Sequence, residues 1–269
     1  MAKALRASID GRISAPEEAT IGVLDDGLLR GDGVFEAIKL YGPHPFRLTA
    51  HLDRLERSAA SIHLSVDRSA LEAEIDALLE SPPAGGDTML RILATRGGRR
   101  ILLVEELPEW PASASIALVR LSPSEILAGV KSISYAANMH ATRLAAGRGA
   151  DEAVYVDRDD IVLEAPTSSV FWTGTDGELH TPSLATGILD SITRDVVIAG
   201  VPCREGAYPA ADLRGAQAAF LASTTREIQP ISSVDGEALA EPDGGEQARR
   251  AEAALSEAVA DERGAANGQ

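Results

Sequence analysis

The chain has 269 residues, 45% hydrophobic and 25% charged, enough to bury one large core or two modest ones. Its formal net charge of -16 gives a surface that repels nucleic acid and anionic membrane, which excludes non-specific binding to either. A single cysteine, Cys203, excludes an intrachain disulfide and a multi-cysteine metal centre, and no metal site is expected.

The opening MAKALRASIDGRI lacks the apolar run of a signal peptide. No stretch approaches the roughly 18 apolar residues of a membrane span, and a cytoplasmic protein is expected. ALRASIDGRI reads as a hairpin turning at Asp10-Gly11. VFEAIKLYG and PFRLT read as two strands joined by Gly42-Pro43. In HLDRLERSAASIHL, Leu52, Leu55, Ala59 and Ile62 recur at helical spacing, and SALEAEIDALLE is a second amphipathic helix that ends at the breaker SPPAGGD. TMLRILATRGG and RRILLVEEL are strands around a Gly-Gly turn, and SIALVRL is another strand. SPSEILAG is the candidate linker, which divides the chain into a small domain over 1–120, a linker over 121–130 and a larger domain over 131–269.

After the linker comes a helix from Ala136 to Ala146, stopped by Gly147 and Gly149. DEAVYVD and IVLE read as short strands about Arg158-Asp159-Asp160, and SSVFWTG and GELHTP continue the sheet. ITRDVVIAGV is a helix, AAFLAST a strand and ISSVDGEAL a hairpin. EQARRAEAALSEAVADE is a terminal helix, and the last residues, GAANGQ, are expected to fray.

Several residues stand out chemically. Lys131, in GVKSISYAAN, lies in a segment of small, β-branched and aromatic residues that enters the protein, where an ammonium needs a partner, a lowered pKa or a covalent task. Glu164 ends the apolar run IVLE, where a carboxylate is costly unless paired. Ser191 is a candidate N-cap, so the amides of Ile192 and Thr193 would open a helix suited to phosphate. Ser223, Thr224 and Thr225 form a small polar cluster at a strand end, and Arg54 lies one helical turn after His51. Singly, each has an ordinary reading: a snorkelling lysine, a strand-end charge, a helix cap, a turn, a surface ion pair. Jointly they supply what pyridoxal phosphate requires: an amine for its aldehyde, a carboxylate for its ring nitrogen, and amides, hydroxyls and an arginine for its phosphate.

In this order the segments DDGLLRGDGVFEAIKLY, PFRLTAHLDRLERSA, GVKSISYAAN, GADEAVYVD, IVLEAPTSSVF, LHTPSLATGILDSITRDVV and FLASTTREIQP resemble the class IV aminotransferase family. That family includes branched-chain aminotransferases, D-amino-acid aminotransferases, (R)-selective amine transaminases and aminodeoxychorismate lyases. The resemblance covers nearly the whole chain. It implies a two-domain α/β (α+β) fold of the fold-type IV, D-amino-acid-aminotransferase-like kind, with pyridoxal 5′-phosphate between the domains and a homodimer whose partner loop closes the pocket. Lys131 then resembles the Schiff-base lysine and proton shuttle, and Glu164 the partner of the pyridine nitrogen. Arg54, Ile192, Thr193 and Thr224 resemble the phosphate ligands. Tyr135 lies near the tyrosine that, in some members, meets the cofactor's phenolic oxygen. Thr225 resembles a residue whose amide meets the substrate carboxylate or the phosphate, and Phe35 would line the substrate pocket.

The chain departs from the family pattern at Ala165 and Ser191, where glycine is usual, and at Ser169, where asparagine is usual. Phe35 stands where the bacterial D-amino-acid enzymes hold a tyrosine. TRGGRR keeps Thr95-Arg96-Gly97 but lacks their following histidine, leaving Arg99 or Arg100 as the substitute cation for a substrate carboxylate. The reading is a transaminase using D-amino acids or (R)-amines with a 2-keto acid. Its alternative is an aminodeoxychorismate lyase that forms 4-aminobenzoate and pyruvate.

Overall fold

The computed structural model describes residues 3–81, 86–121 and 124–267. It divides into two compact units, 1–109 with Val130–Tyr135, and Trp110–Gly129 with 136–269. The division differs from the one expected. SIALVRL lies in the second unit because its hydrogen-bonding partners come from later in the chain. The Lys131 segment lies in the first, because Phe35 N–H donates to Lys131 C=O at 3.0 Å and Val34 bridges Ser132.

The first unit contains β1 (Ala4–Ile9), β2 (Arg12–Ser14), α1 (Asp26–Arg30), β3 (Gly33–Tyr41), β4 (His44–Pro45), α2 (Leu48–Ser61), α3 (Arg68–Leu79), β5 (Thr88–Thr95) and β6 (Arg100–Glu106). Its sheet runs β2-β1-β6-β5-β3-β4, and every pairing is antiparallel. The β1–β2 turn holds Asp10 at φ 51° and Gly11 at φ 84°, the positive pair that a two-residue hairpin favours. PFRLT is not a strand beyond His44–Pro45: Arg47 takes φ 55° and turns the chain directly into α2. The SPPAGGD breaker lies largely at 82–85, outside the described residues. Leu52, Leu55 and Ala59 of α2 and Leu71, Ile75 and Leu78 of α3 bury against Val34, Ile38, Leu40, Leu90, Ile92, Leu102 and Val104 of the sheet. This is the stripe-on-face packing that the helical and alternating periods dictate.

The second unit contains β7 (Ala114–Arg120), α4 (Ala136–Ala146), β8 (Glu152–Val156), β9 (Ser169–Thr173), β10 (Leu179–Pro182), α5 (Ile192–Gly200), β11 (Cys203–Gly206), α6 (Ala210–Arg214), β12 (Ala218–Ser223), β13 (Glu227–Val234), β14 (Glu237–Ala238) and α7 (Gly245–Asn267). The sheet order is β11-β10-β9-β12-β13-β7-β8, with β14 paired to β13. Three pairs are parallel: β10 with β11, β13 with β7, and β7 with β8. Alternate residues sort to opposite faces. Val170, Trp172, Ala219 and Leu221 pack with Ala210 and Leu213 of α6, while Phe171, Phe220 and Ala222 pack with Val197 of α5 and Ala248 and Ala251 of α7. A sheet covered on both faces reads as an unbroken apolar run, as AAFLAS does.

IVLE is not a strand. Ile161 and Val162 make single bridges to Pro209 and Val156, and Leu163 and Glu164 exchange backbone bonds with Tyr155. The expected fraying does not begin at Gly264, because α7 continues through Asn267; residues 268–269 lie outside the described residues. No helix among the described residues is long and apolar enough to cross a membrane.

Candidate functional site

Lys131 is half-buried in the first unit and its backbone is clamped on both sides. Its C=O accepts from Phe35 N–H, and its N–H donates to Ser58 Oγ at 3.1 Å. Ser58 is on α2, one turn after Arg54, so the lysine docks on the helix that carries the arginine. Lys131 Nζ lies 4.3 Å from the Phe35 ring centroid, within the range of a cation–π contact. Tyr135 meets the same ring edge-on at 5.1 Å. The first unit therefore brings Lys131, Phe35 and Tyr135 together.

Arg54 is buried, and its partner is Glu36 rather than a surface acid. Glu36 shares the parity of Val34, Ile38 and Leu40, so β3 turns it toward α2 with the core residues. Its Oε1 accepts from Arg54 Nε at 2.7 Å, and its Oε2 accepts from Arg54 Nη2 at 2.6 Å. His51 Nδ1 lies 2.7 Å from the same Oε2. Burial alone would raise the Glu36 pKa. The hydrogen bonds and charge of Arg54, then those of His51, outweigh it and hold the carboxyl down to about 2. Burial pushes His51 the other way, below the usual imidazole range, against the pull of Glu36 and with the charges of Arg54 and Lys131 adding to it.

Within the second unit, Glu164 is half-buried and its Oε1 accepts from Leu189 N–H at 3.2 Å. The chain then turns tightly, Ala165 N–H donating to Ser168 C=O at 2.8 Å. Ala165 is not among the positive-φ residues, so no glycine is required there. Ser191 likewise has φ -87°, and its Oγ accepts from Arg194 N–H at 3.4 Å as the cap of α5. Ile192 and Thr193, both buried, occupy the first two positions of the helix, where amides have no acceptor within the helix. Thr224 and Thr225 are half-buried in the turn from β12 to β13, beside Ser223 Oγ, which accepts from Arg226 N–H at 3.3 Å. The hydroxyls of Ser168 and Ser169 are buried with no hydrogen-bond partner among the described residues.

The two arginines considered for a substrate carboxylate are engaged nearby. Arg99 Nη1 donates to Asp10 Oδ2 at 2.6 Å, with 47% of its side chain exposed, and Arg100 donates to Glu74. The TRGG turn packs against the DDG segment instead. Asp25 accepts from Thr95 Oγ1, and a Cβ on Gly97 would lie 2.1 Å from Asp25 Oδ2. One cluster of possible metal ligands, Asp176, Glu178 and His180, forms on the β9–β10 hairpin, where His180 Nε2 bonds Asp176 at 3.1 Å.

Sequence reading missed Glu36 as a partner of Arg54. The available signal was a carboxylate at a core-parity position of an apolar strand, with histidine and arginine three apart on the following helix. It also missed Arg226, a buried cation that lies 3.7 Å over the Trp110 ring and bonds Glu152 and Gln229.

The profile of the family described as Amino-transferase class IV matches residues 33–234. A putative branched-chain-amino-acid aminotransferase of Methanocaldococcus jannaschii is 32% identical over 86% of this chain and 88% of its own. A D-alanine aminotransferase of Listeria monocytogenes is 31% identical over 88% and 90%. A bifunctional aminodeoxychorismate lyase / D-amino acid transaminase of Mycobacterium tuberculosis is 29% identical over 86% and 92%. Among solved structures, the PLP-bound form of a hypothetical aminotransferase from Mycobacterium tuberculosis superposes with a TM-score of 0.82 at 25% identity, over 94% of this chain and 99% of that one. On the profile match and these relatives, the chain belongs to the class IV aminotransferase family.

Proposed function

We propose that the chain is a pyridoxal-phosphate-dependent transaminase that moves an amino group from a D-amino acid or (R)-amine to a 2-keto acid. The observation that carries this is the setting of Lys131: a primary amine on a backbone fixed at both N–H and C=O, laid on an aromatic face. The PLP-bound relative supports the cofactor.

The residues fit such a group on donor chemistry. They offer one amine, one carboxylate oriented by a backbone amide, one buried guanidinium, the open first turn of a nine-residue helix, and a turn of hydroxyls. When bound, pyridoxal phosphate supplies an electron sink for charge that develops at the donor's α-carbon. Lys131 would hold the cofactor through its aldehyde, with loss of water, and its Nζ would carry the α-proton of the donor. Its fixed backbone leaves only the side-chain torsions to search. Glu164 holds the proton of the ring nitrogen, with Leu189 N–H orienting the carboxylate. Arg54, the Ile192 and Thr193 amides and the Thr224 hydroxyl bind phosphate, and Tyr135 meets the phenolic oxygen. Phe35 and Thr225 border the substrate. Arg99 supplies the cation for its carboxylate, since a half-exposed pair such as that with Asp10 costs little to exchange.

A homodimer fits the same reading. Val23, Leu24, Leu28 and Leu29 are 70%, 82%, 59% and 55% exposed around α1, an apolar stretch suited to a second copy. The lyase alternative draws on the bifunctional relative, whose printed activities include both reactions.

Purified enzyme supplied with D-alanine and a 2-keto acid is expected to turn over only when both are present, and Lys131→Ala is expected to reduce this by at least about 10³-fold. Formation of 4-aminobenzoate from aminodeoxychorismate with no keto acid, and no D-alanine turnover, would replace the transaminase assignment with the lyase one.

A further inference from the structure

Glu36, His51 and Arg54 form a cluster in which both ionic side chains are almost fully buried, Glu36 at 0% and Arg54 at 5% exposed. A carboxylate at a core position is costly, and apolar residues of similar shape could fill the space without that cost. An ionised Glu36 also makes the surroundings of Arg54 less positive, which opposes the binding of any anion there. Simple attraction for phosphate therefore does not account for it.

Geometry supplies the reason. The carboxylate grips the guanidinium along its Nε–Nη2 edge with two bonds, at 2.7 and 2.6 Å, which fixes both the plane and the rotation of the fork. The carboxylate is in turn held by His51. Because an ionised carboxylate only accepts, His51 Nδ1 must carry the proton, and in the neutral ring Nε2 is then a bare acceptor. That atom is buried with no hydrogen-bond partner among the described residues. Histidine and arginine are three apart on α2, so one helix face sets the whole arrangement against β3.

We propose that Glu36, braced by His51, is a positioning residue that aims the Arg54 guanidinium at the phosphate of the bound cofactor. This rests on Arg54 being a phosphate ligand. The sign of a charge-removing substitution separates positioning from electrostatics. Glu36→Gln makes the surroundings more positive, so electrostatics alone tightens phosphate binding, whereas loss of aim weakens it. Glu36→Asp keeps the charge and withdraws it by one methylene, so electrostatics alone again predicts binding no weaker than wild type, whereas loss of aim weakens it.

The test is the dissociation constant of the full chain for pyridoxal phosphate and for pyridoxal, which lacks the phosphate, in the wild type, Glu36→Gln, Glu36→Asp, Arg54→Ala and the Glu36→Gln/Arg54→Ala double variant. Each Glu36 variant is expected to weaken pyridoxal phosphate by about tenfold or more, to leave pyridoxal within about twofold, and to add little once Arg54 is gone. Should Glu36→Gln not fold, Glu36→Asp carries the test alone. Unchanged or tighter pyridoxal phosphate binding in the Glu36 variants overturns the inference. So does equal weakening of both ligands, the mark of a merely structural pair. If Arg54→Ala fails to separate the two ligands, the phosphate assignment of Arg54 falls, and that outcome is distinct from a failure at Glu36 alone.

Discussion

Each unit contains, among the described residues, an arginine–glutamate pair with both partners buried, Arg54–Glu36 and Arg226–Glu152, and the two clusters are built differently. Arg54 in the first unit meets Glu36 through two edge contacts with a histidine behind them, and His51 Nε2 has no hydrogen-bond partner among the described residues. Arg226 in the second meets Glu152, lies 3.7 Å over Trp110 and donates to Gln229 Oε1 at 2.6 Å, while Gln229 donates onward to Pro111 C=O at 2.7 Å. Glu152 Oε1 also accepts from Thr142 and from the Ala153 amide. The second cluster ties the start of the unit, at Trp110 and Pro111, to three other segments. The first holds one guanidinium beside the helix turn where Lys131 docks. Equal burial thus cross-links the chain in one case and, on the positioning role proposed above, orients a ligand group in the other.

The largest expected effect tests the second cluster. Arg226→Met leaves Glu152 buried without its cation and is expected to cost about 3–5 kcal/mol of stability. Adding Glu152→Leu removes the stranded charge, and the double variant is expected to regain most of that loss. Urea denaturation of the single and double variants measures both. If Arg226→Met instead kept its stability and lost pyridoxal phosphate selectively, the contrast between the two arginines would be broken.

A smaller effect sharpens the first cluster. Glu36 titrates near 4.5 when unfolded and at about 2 when folded. Its contribution is therefore complete above pH 4.5 and is lost as pH falls toward 2, to a total of roughly 3 kcal/mol. His51, pushed below 6.5 by burial, acts in the same direction, since the unfolded chain takes up its proton first as pH drops through that value. Both slopes point to loss of stability on the acid side, beginning below about pH 6.5 and steepening below 4.5. The urea midpoint followed from pH 7 to pH 3 should fall less steeply in Glu36→Gln than in the wild type, and an identical slope would remove Glu36 from the acid response.

The two clusters also mark where the sequence could and could not be read. Local signals were legible. The Asp-Gly turns, the stripes of α2 and α3, and α4 between Ala136 and its stopping glycines follow from turn chemistry and helical period. Lys131, Glu164, Thr193 and Thr224 stood out only jointly, because each alone has an ordinary structural use. Non-local facts were hidden. The parallel pairing of β7 with β8 and β13 moved the domain boundary, and no spacing within SIALVRL announces it. IVLE is apolar enough for a strand, but the Asp157–Asp160 turn, with Asp160 at φ 63°, leaves it room for only isolated bridges. Glu36 is one polar residue in the largely apolar run VFEAIKLYG, and only its parity with Val34 and Ile38 betrays that it faces inward.

The smallest effect compares the units where they are built alike. Asp235-Gly236 repeats the turn of Asp10-Gly11, with φ 50° and 87° against 51° and 84°. In each, the aspartate reaches sideways, Asp10 accepting from Arg100 N–H at 2.9 Å and Asp235 from Leu118 N–H at 2.8 Å. A Cβ on Gly236 meets nothing within 4 Å, and one on Gly11 comes only to 3.5 Å from Glu74 Oε1, an ordinary contact. Alanine at either site therefore costs the left-handed backbone strain and little else, about 1–2 kcal/mol. Asparagine, which tolerates that region, should cost less at both. Denaturation midpoints of Gly11→Ala and Gly236→Ala are expected to agree within about 0.5 kcal/mol. A much larger loss at Gly11 would mean that the neighbouring Glu74–Arg100 pair, at 2.7 Å, supports the first unit more than its partly exposed position suggests. Equal losses would place the difference between the units in their buried charges and not in their backbones.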